Sequence, residues 1–393
     1  MHSHLYLLAK RSGRLARSAG LVVCILFACL IIRGAELPAD LVVLNAKLVT
    51  VNNEFSILEA AAIREGRFVA AGSNSDIKKL IGERTRVMDV HGKTVIPGLI
   101  ESHVHALGVA RDEAVQPFIQ LSSVPEIQQW VREQARKTPA GEWIQIPRID
   151  LTRLQEGRLP TRFELDVLDH PVVFNWQYGS RQIQVLNTAA LRAANITRDT
   201  PAPAGGKAKL LKDAHGELTG VLENPGALTS RFLKTKPISD EAFLTALKKV
   251  HQSYNRIGIT SIKHFIGLAD WSKGGLKVAI NSDHMFGIDP NKSLNPFNPF
   301  LAMYVAVTRK TESGRVIGPE QKISRAQALR MATINAAYLS FDEKRKGSIE
   351  VGKLGDFAVL SDDLLTCEPE RIKAIESLAT LVGGKLVHEA ALR

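Results

Sequence analysis

The sequence predicts an α/β chain in which two strand-rich ends bracket a middle of mixed strands and helices. Short β-branched runs separated by turn residues fill Asp40 to Val95, and the same pattern returns between Gly347 and His388. Between them, amphipathic helical stretches alternate with apolar strand-like pieces, the arrangement of an α/β architecture.

The elements follow in order. Four cations, Lys10, Arg11, Arg14 and Arg17, precede Ala19 to Ile32, which is uncharged and apolar apart from Gly20. This is the pattern of an export leader, and the apolar run is shorter than the roughly 20 residues of a stable membrane span. Residues 1–35 are therefore expected to be a signal peptide or anchor. The rest would be periplasmic or extracellular, touching a membrane only through that segment.

Strands are expected at Leu41 to Leu44, Lys47 to Val51, Arg67 to Ala71 and Arg86 to Val90, as a small antiparallel sheet. The C-terminal set is Gly347 to Glu350, Asp356 to Leu360, Ala379 to Val382 and Lys385 to His388, the last two joined across Gly383-Gly384. In the middle, helices are expected at Val124 to Arg136, Asp240 to Ile257 and Arg325 to Ala337. Ser239 and Ser324 serve as N-caps without a full capping box. The strand-like pieces are Val95 to His105, Val172 to Trp176, Thr260 to Ile262 and Lys277 to Ser282.

Composition excludes several classes. With 45% hydrophobic and 23% charged residues the chain is an ordinary globular one. Of its net charge of +11, five cations lie in the leader, which has no acid, leaving 11 − 5 = +6 scattered over the body. That is a solvated surface rather than a nucleic-acid footprint. Cys24 and Cys29 sit in the leader, so Cys367 alone remains, and neither a body disulfide nor a CxxC metal knuckle can form.

Chemistry concentrates in two places. In Val95-Ile-Pro-Gly-Leu-Ile-Glu-Ser-His-Val-His105, side chains two apart on a strand share a face, so His103 and His105 would project together and hold one metal. Taken alone, two ordinary surface histidines fit the same pattern. The run Leu276 to Asp283 would deliver a carboxylate at a strand's C-terminal tip, where Asp283 would ligate a metal and accept a proton from water, or simply cap the following loop.

Together with Asn187-Thr-Ala-Ala-Leu191, Thr200 to Gly206, Gly216 to Glu223, Tyr304 to Arg309 and Gly347 to Leu360, these segments resemble the amidohydrolase superfamily. Within it, the resemblance is to the amidohydrolase family 3 branch that includes N-substituted formamide deformylases. It implies a (β/α) TIM-type barrel at 96–345, with an insertion at 111–236 that shapes the substrate pocket. It also implies a composite β-sandwich domain made of 36–95 and 346–393, and a divalent metal, zinc in type, serving hydrolysis of a small-molecule amide. Glu223 and Arg309 fall in family-like motifs and are candidates for the pocket or for structural ion pairs. His284, beside Asp283, is a candidate substrate contact or an ordinary loop histidine.

The chain departs from this family at Asp283-His284, where relatives often have Pro two residues after the Asp, and more widely in length. Between Lys236 and Asp283 there are 46 residues and two histidines, His251 and His264, where the family has several barrel strands with ligating histidines. A complete barrel takes ~250 residues, and roughly 130 remain here once the insertion is subtracted. The chain is expected to jump from an early strand to the last near Trp271 to Gly274, leaving an incomplete barrel. His264 follows a strand and is a candidate ligand, whereas His251 lies on an amphipathic helix and reads as a solvated or core histidine. Two functions follow: a metal-dependent hydrolase of non-peptide C–N bonds, or a catalytically inactive, shortened homologue that at most binds.

Overall fold

A computed structural model describes residues 37–149, 151–178, 181–201, 208–233, 237–264, 278–311 and 313–390. The expected leader with Cys24 and Cys29, and the expected jump near Trp271 to Gly274, lie outside them. Among the described residues no helix is long and apolar enough to cross a membrane.

The two ends of the chain meet in one sheet. Its six strands run Lys385–Glu389, Ser377–Val382, Phe357–Leu360, Thr94–Pro97, Lys47–Val49 and Ile57–Leu58, so C-terminal and N-terminal strands pair at Phe357–Leu360 against Thr94–Pro97. A four-stranded sheet, Arg67–Gly72, Ala60–Arg64, Leu41–Leu44 and Arg86–Asp89, shares a core with it. Leu41, Val43, Ile63 and Phe68 from one sheet pack against Val95, Phe357, Val359 and Leu381 from the other. The strands are buried on their other faces as well, Val42, Leu44, Ala60 and Ala62 against Ile77 and Leu80, and Ile96, Ala358 and Leu360 in the neighbouring core. The Gly383-Gly384 turn has both residues at positive φ, +55° and +72°, the geometry a two-residue hairpin of this twist needs.

The N-terminal strands are mixed rather than antiparallel. Leu41–Leu44 pairs in parallel with Arg86–Asp89, and Lys47–Val49 with Thr94–Pro97, because the intervening hairpin carries the chain back to its starting direction. Gly347 to Glu350 forms no strand. The stretch Arg325 to Ala337 divides into helices Arg325–Met331 and Ile334–Tyr338, broken where Thr333 leaves helical geometry. Ser324 does carry a full capping box, since Gln327 bonds back to its N–H. The other two helices fall at Val124–Ala135 and Asp240–Asn255, capped by Ser123 and Ser239. In the first, Val124, Ile127, Trp130, Val131 and Ala135 line the buried stripe at helical spacing.

Residues 144–223 supply a separate five-stranded sheet, ordered Lys209–Lys212, Leu218–Glu223, Arg181–Leu186, Val172–Tyr178 and Ile144–Gln145. Helix Val124–Ala135 covers one face through Ile127 and Val131, and helix Thr188–Ala193 covers the other through Ala190 and Leu191.

Where a barrel is expected, the described residues hold a two-stranded parallel sheet, Leu99–Val104 beside Ile259–His264, and no closed barrel. The two strands approach closely at Gly98, where a Cβ would stand 2.1 Å from Thr260 Oγ1. Helices Ala106–Val115, Asp240–Asn255, Pro299–Thr308 and Arg325–Met331 pack against this pair around Leu99, Val104, Val250, Tyr254 and Phe300. Their burial supplies the hydrophobic free energy that two strands alone would lack.

Candidate metal centre

The strand Leu99–Val104 carries Glu101 and His103, its ladder shifting register between Glu101 and Val104, and His105 follows at the N-terminus of helix Ala106–Val115. The two imidazoles stand edge to face with ring centres 5.4 Å apart. Asp283 reaches them from 178 residues further on: its Oδ1 is 3.1 Å from His103 Nε2 and 3.2 Å from His105 Nε2. One ligand atom from each of the three residues lies within 4.8 Å of the others. The side chains are 31%, 43% and 52% exposed, so the cluster opens to solvent.

This donor set fits a zinc-like cation. Metal–ligand distances of about 2.0–2.1 Å in a tetrahedron put neighbouring ligand atoms about 3.3 Å apart, close to the two spacings seen. Three protein donors with an open side match catalytic rather than structural zinc sites.

Asp283 does not sit at the tip of a strand. Residues 278–283 are irregular, and Asp283 has a φ of +50°, in the left-handed region that a non-glycine residue enters only when held there. Side chains and single bridges do the holding. Ser102 Oγ donates to Ile280 O at 3.0 Å, and the Ser282 N–H donates to Glu101 Oε1 at 3.2 Å. The His105 N–H donates to His284 O at 2.9 Å, beside a parallel bridge from Val104 to His284.

His284 is not a pocket residue. It is fully buried, and both ring nitrogens are engaged, Nε2 with Gly287 O at 2.7 Å and Nδ1 with Tyr254 Oη at 2.9 Å. A carbonyl only accepts, so Nε2 carries the proton and Nδ1 accepts from the tyrosine. Burial pulls its pKa down to about 4, which keeps the ring neutral. Burial likewise pushes the Glu101 carboxyl up to about 7.

Among the described residues the ligand group consists of His103, His105 and Asp283. Glu223 ends a strand of the inserted sheet, opposite Ile183 and Lys209. Arg309 caps helix Pro299–Thr308 in the left-handed conformation, and its guanidinium donates to Ile317 O and Gln321 Oε1. His264 ends the strand Ile259–His264, but its side chain lies outside the described residues. His251 is exposed on its helix.

A cleft of about 810 Å³ lies between helix Ala106–Val115, the inserted sheet and the Phe286-Gly287 turn. Asp112, Arg148, Asn175, Trp176, Gln184 and Phe286 are among its walls, with the Arg148 guanidinium 4.1 Å from the Phe286 ring centre. Two of its walls continue the segments that carry His105 and Asp283. Sequence reasoning missed this cleft and Glu101, although Glu101 was legible as the residue two before His103.

The Amidohydrolase family matches residues 86–282 and 269–388, two segments that overlap where the expected jump falls. An N-substituted formamide deformylase of Arthrobacter pascens is 27% identical over 228 residues, 57% of this chain and 42% of that protein. The exoenzymes regulatory protein AepA of Pectobacterium carotovorum subsp. carotovorum is 27% identical over 223 residues, 56% of this chain and 48% of that one. The chain thus spans less than half the length of these curated relatives. A metal-dependent hydrolase from Pyrococcus horikoshii shares the fold, with a TM-score of 0.54 at 14% identity, covering 84% of this chain and 99% of that one. The resemblance read from His103, His105, Asp283 and their flanking motifs therefore holds, and the chain belongs to the amidohydrolase family.

Proposed function

We propose that this chain is a divalent-metal-dependent hydrolase of amide-type C–N bonds outside peptides, working on a shortened barrel with a β-sandwich built from both chain ends. The convergence of His103 Nε2, His105 Nε2 and Asp283 Oδ1 carries the reading. These three residues would hold the cation, zinc by the chemistry of two imidazoles and one carboxylate. When bound, such an ion supplies Lewis-acid activation of water and of the substrate carbonyl.

The protein's own groups do the rest. Asp283, half exposed and anchored at both neighbours, takes the proton of the attacking water and delivers it to the departing amine as the C–N bond breaks. His103 and His105, oriented by the strand and the helix start, fix the side from which water approaches. The cleft beside them receives the body of a small organic amide, its flat parts against Phe286 and Trp176. The leader at 1–35 supports export, with the enzyme working outside the cytoplasm.

A second reading, a metal-binding homologue without turnover, is favoured by the number of donors: among the described residues only these three converge. Metal content and hydrolysis separate the two. Purified wild type is expected to carry about one metal per chain by elemental analysis and to cleave members of a panel of N-substituted formamides and N-acyl amines. His103→Ala is expected to lose both. Stoichiometric metal with no cleavage across the panel would leave the second reading; no metal in wild type would remove both.

A further inference from the structure

The two segments that bring the ligands together share almost no backbone ladder. Leu99–Val104 is a strand, while 278–283 is irregular; among the described residues one backbone bridge follows it, at Val104 and His284, and Ser102 Oγ donates to Ile280 O. Glu101 occupies the gap. It is buried, 6% exposed, and a single oxygen, Oε1, accepts from the His103 N–H at 3.2 Å and from the Ser282 N–H at 3.2 Å. Those donors belong to a metal-ligand candidate and to the residue preceding Asp283. The carboxylate does what a neighbouring strand's carbonyl does in a complete sheet: it takes two N–H groups that a buried site cannot leave unpaired.

We propose that Glu101 is a positioning residue for the metal centre, tying the His103 and Asp283 segments into register without ligating the cation itself. This rests on the metal reading given above. The left-handed backbone of Asp283 is then pinned on both sides, by Ser282 on Glu101 and by His284 on Tyr254 and Gly287. A short cross-link suffices because the two segments already lie side by side. Its loss would let Asp283 relax out of the left-handed region and swing its oxygen away from the imidazoles.

The test is Co²⁺ titration of the full chain, read by visible d–d absorption, with amide hydrogen exchange of the peptide spanning 278–286 in metal-free protein. Wild type is expected to bind about one Co²⁺ and to protect that peptide. Glu101→Ala should weaken Co²⁺ binding by about 10–100-fold, the usual effect of losing a group that orients ligands, change the d–d spectrum and speed exchange. Glu101→Gln keeps an acceptor oxygen of the same shape and should stay near wild type in all three. Should Glu101→Ala fail to fold, Glu101→Asp, too short to span both N–H groups, is expected to show the same losses. Wild-type affinity and spectrum in folded Glu101→Ala or Glu101→Asp overturn the proposal. Absence of Co²⁺ from wild type overturns the metal reading and this role with it, whereas fast exchange in wild type at normal Co²⁺ affinity overturns only the clamp.

Discussion

Substituting Gly98 by alanine should push the strand that carries His103 away from its parallel neighbour Ile259–His264, and the structure sets the size of the effect. An added Cβ would stand 2.1 Å from Thr260 Oγ1, 2.4 Å from its Cγ2 and 2.7 Å from its Cβ, all well inside contact distance. The backbone cannot retreat easily: the Gly98 N–H donates to Asp356 O and the Leu99 N–H to Gly258 O, both at 2.9 Å. Thr260 is β-branched and half-buried, so it cannot simply rotate both branches away. Overpacking of this kind costs about 1–3 kcal/mol. Thr260→Gly removes all three clashing atoms, so in that background Gly98→Ala should cost at least ~1 kcal/mol less, a coupling within the range seen for residues in contact. Urea unfolding of the four proteins of this double-mutant cycle measures it. If the two substitutions are additive, the close approach is not what demands glycine at 98, and the reasoning fails.

Three further outcomes are expected. Asp283→Asn should keep most of the bound metal, by elemental analysis, while abolishing amide hydrolysis, because the neutral amide cannot take a proton; unchanged turnover would remove Asp283 from the mechanism. Tyr254→Phe leaves His284 Nδ1 a buried acceptor without its donor and should cost about 1–3 kcal/mol in urea unfolding, with an unchanged midpoint refuting the bond. Glu164 is held by Arg158 through two bonds at 2.8 and 2.9 Å, and this partner pulls its carboxyl down to about 2. Its contribution is therefore complete above the unfolded value near 4.5 and is lost as pH falls from there toward 2. Discounted for the exposure of the pair it amounts to about 1–2 kcal/mol, so Glu164→Gln should unfold more easily at pH 7 and match wild type near pH 2; an equal deficit at both pH values would contradict this.

Several misreadings share one physical origin. Periodicity located helices Val124–Ala135 and Asp240–Asn255 within two residues, since each keeps an apolar stripe and a serine cap. It overran at Ala332-Thr333, where local propensity continues but packing turns the chain. The apolar run before Asp283 looked like a strand because of its apolar, β-branched composition, yet its described backbone groups bond to Glu101, Ser102 and Met331 rather than to a ladder. His284 drew notice from its neighbour Asp283 and lies buried against Tyr254 and Gly287 instead.

The nearness of His103 to His105, and of Glu101 to His103, was legible in the sequence, because residues two apart on a near-extended chain stay close whatever the fold. Helix caps and the Gly383-Gly384 turn are local in the same way. The meeting of Asp283 with those histidines could only be decided in three dimensions: it depends on a bridge at Val104, a side-chain clamp and a buried Tyr254–His284 pair contributed by segments far apart in the chain. Distances of that kind arise from packing, which no short stretch of residues encodes by itself.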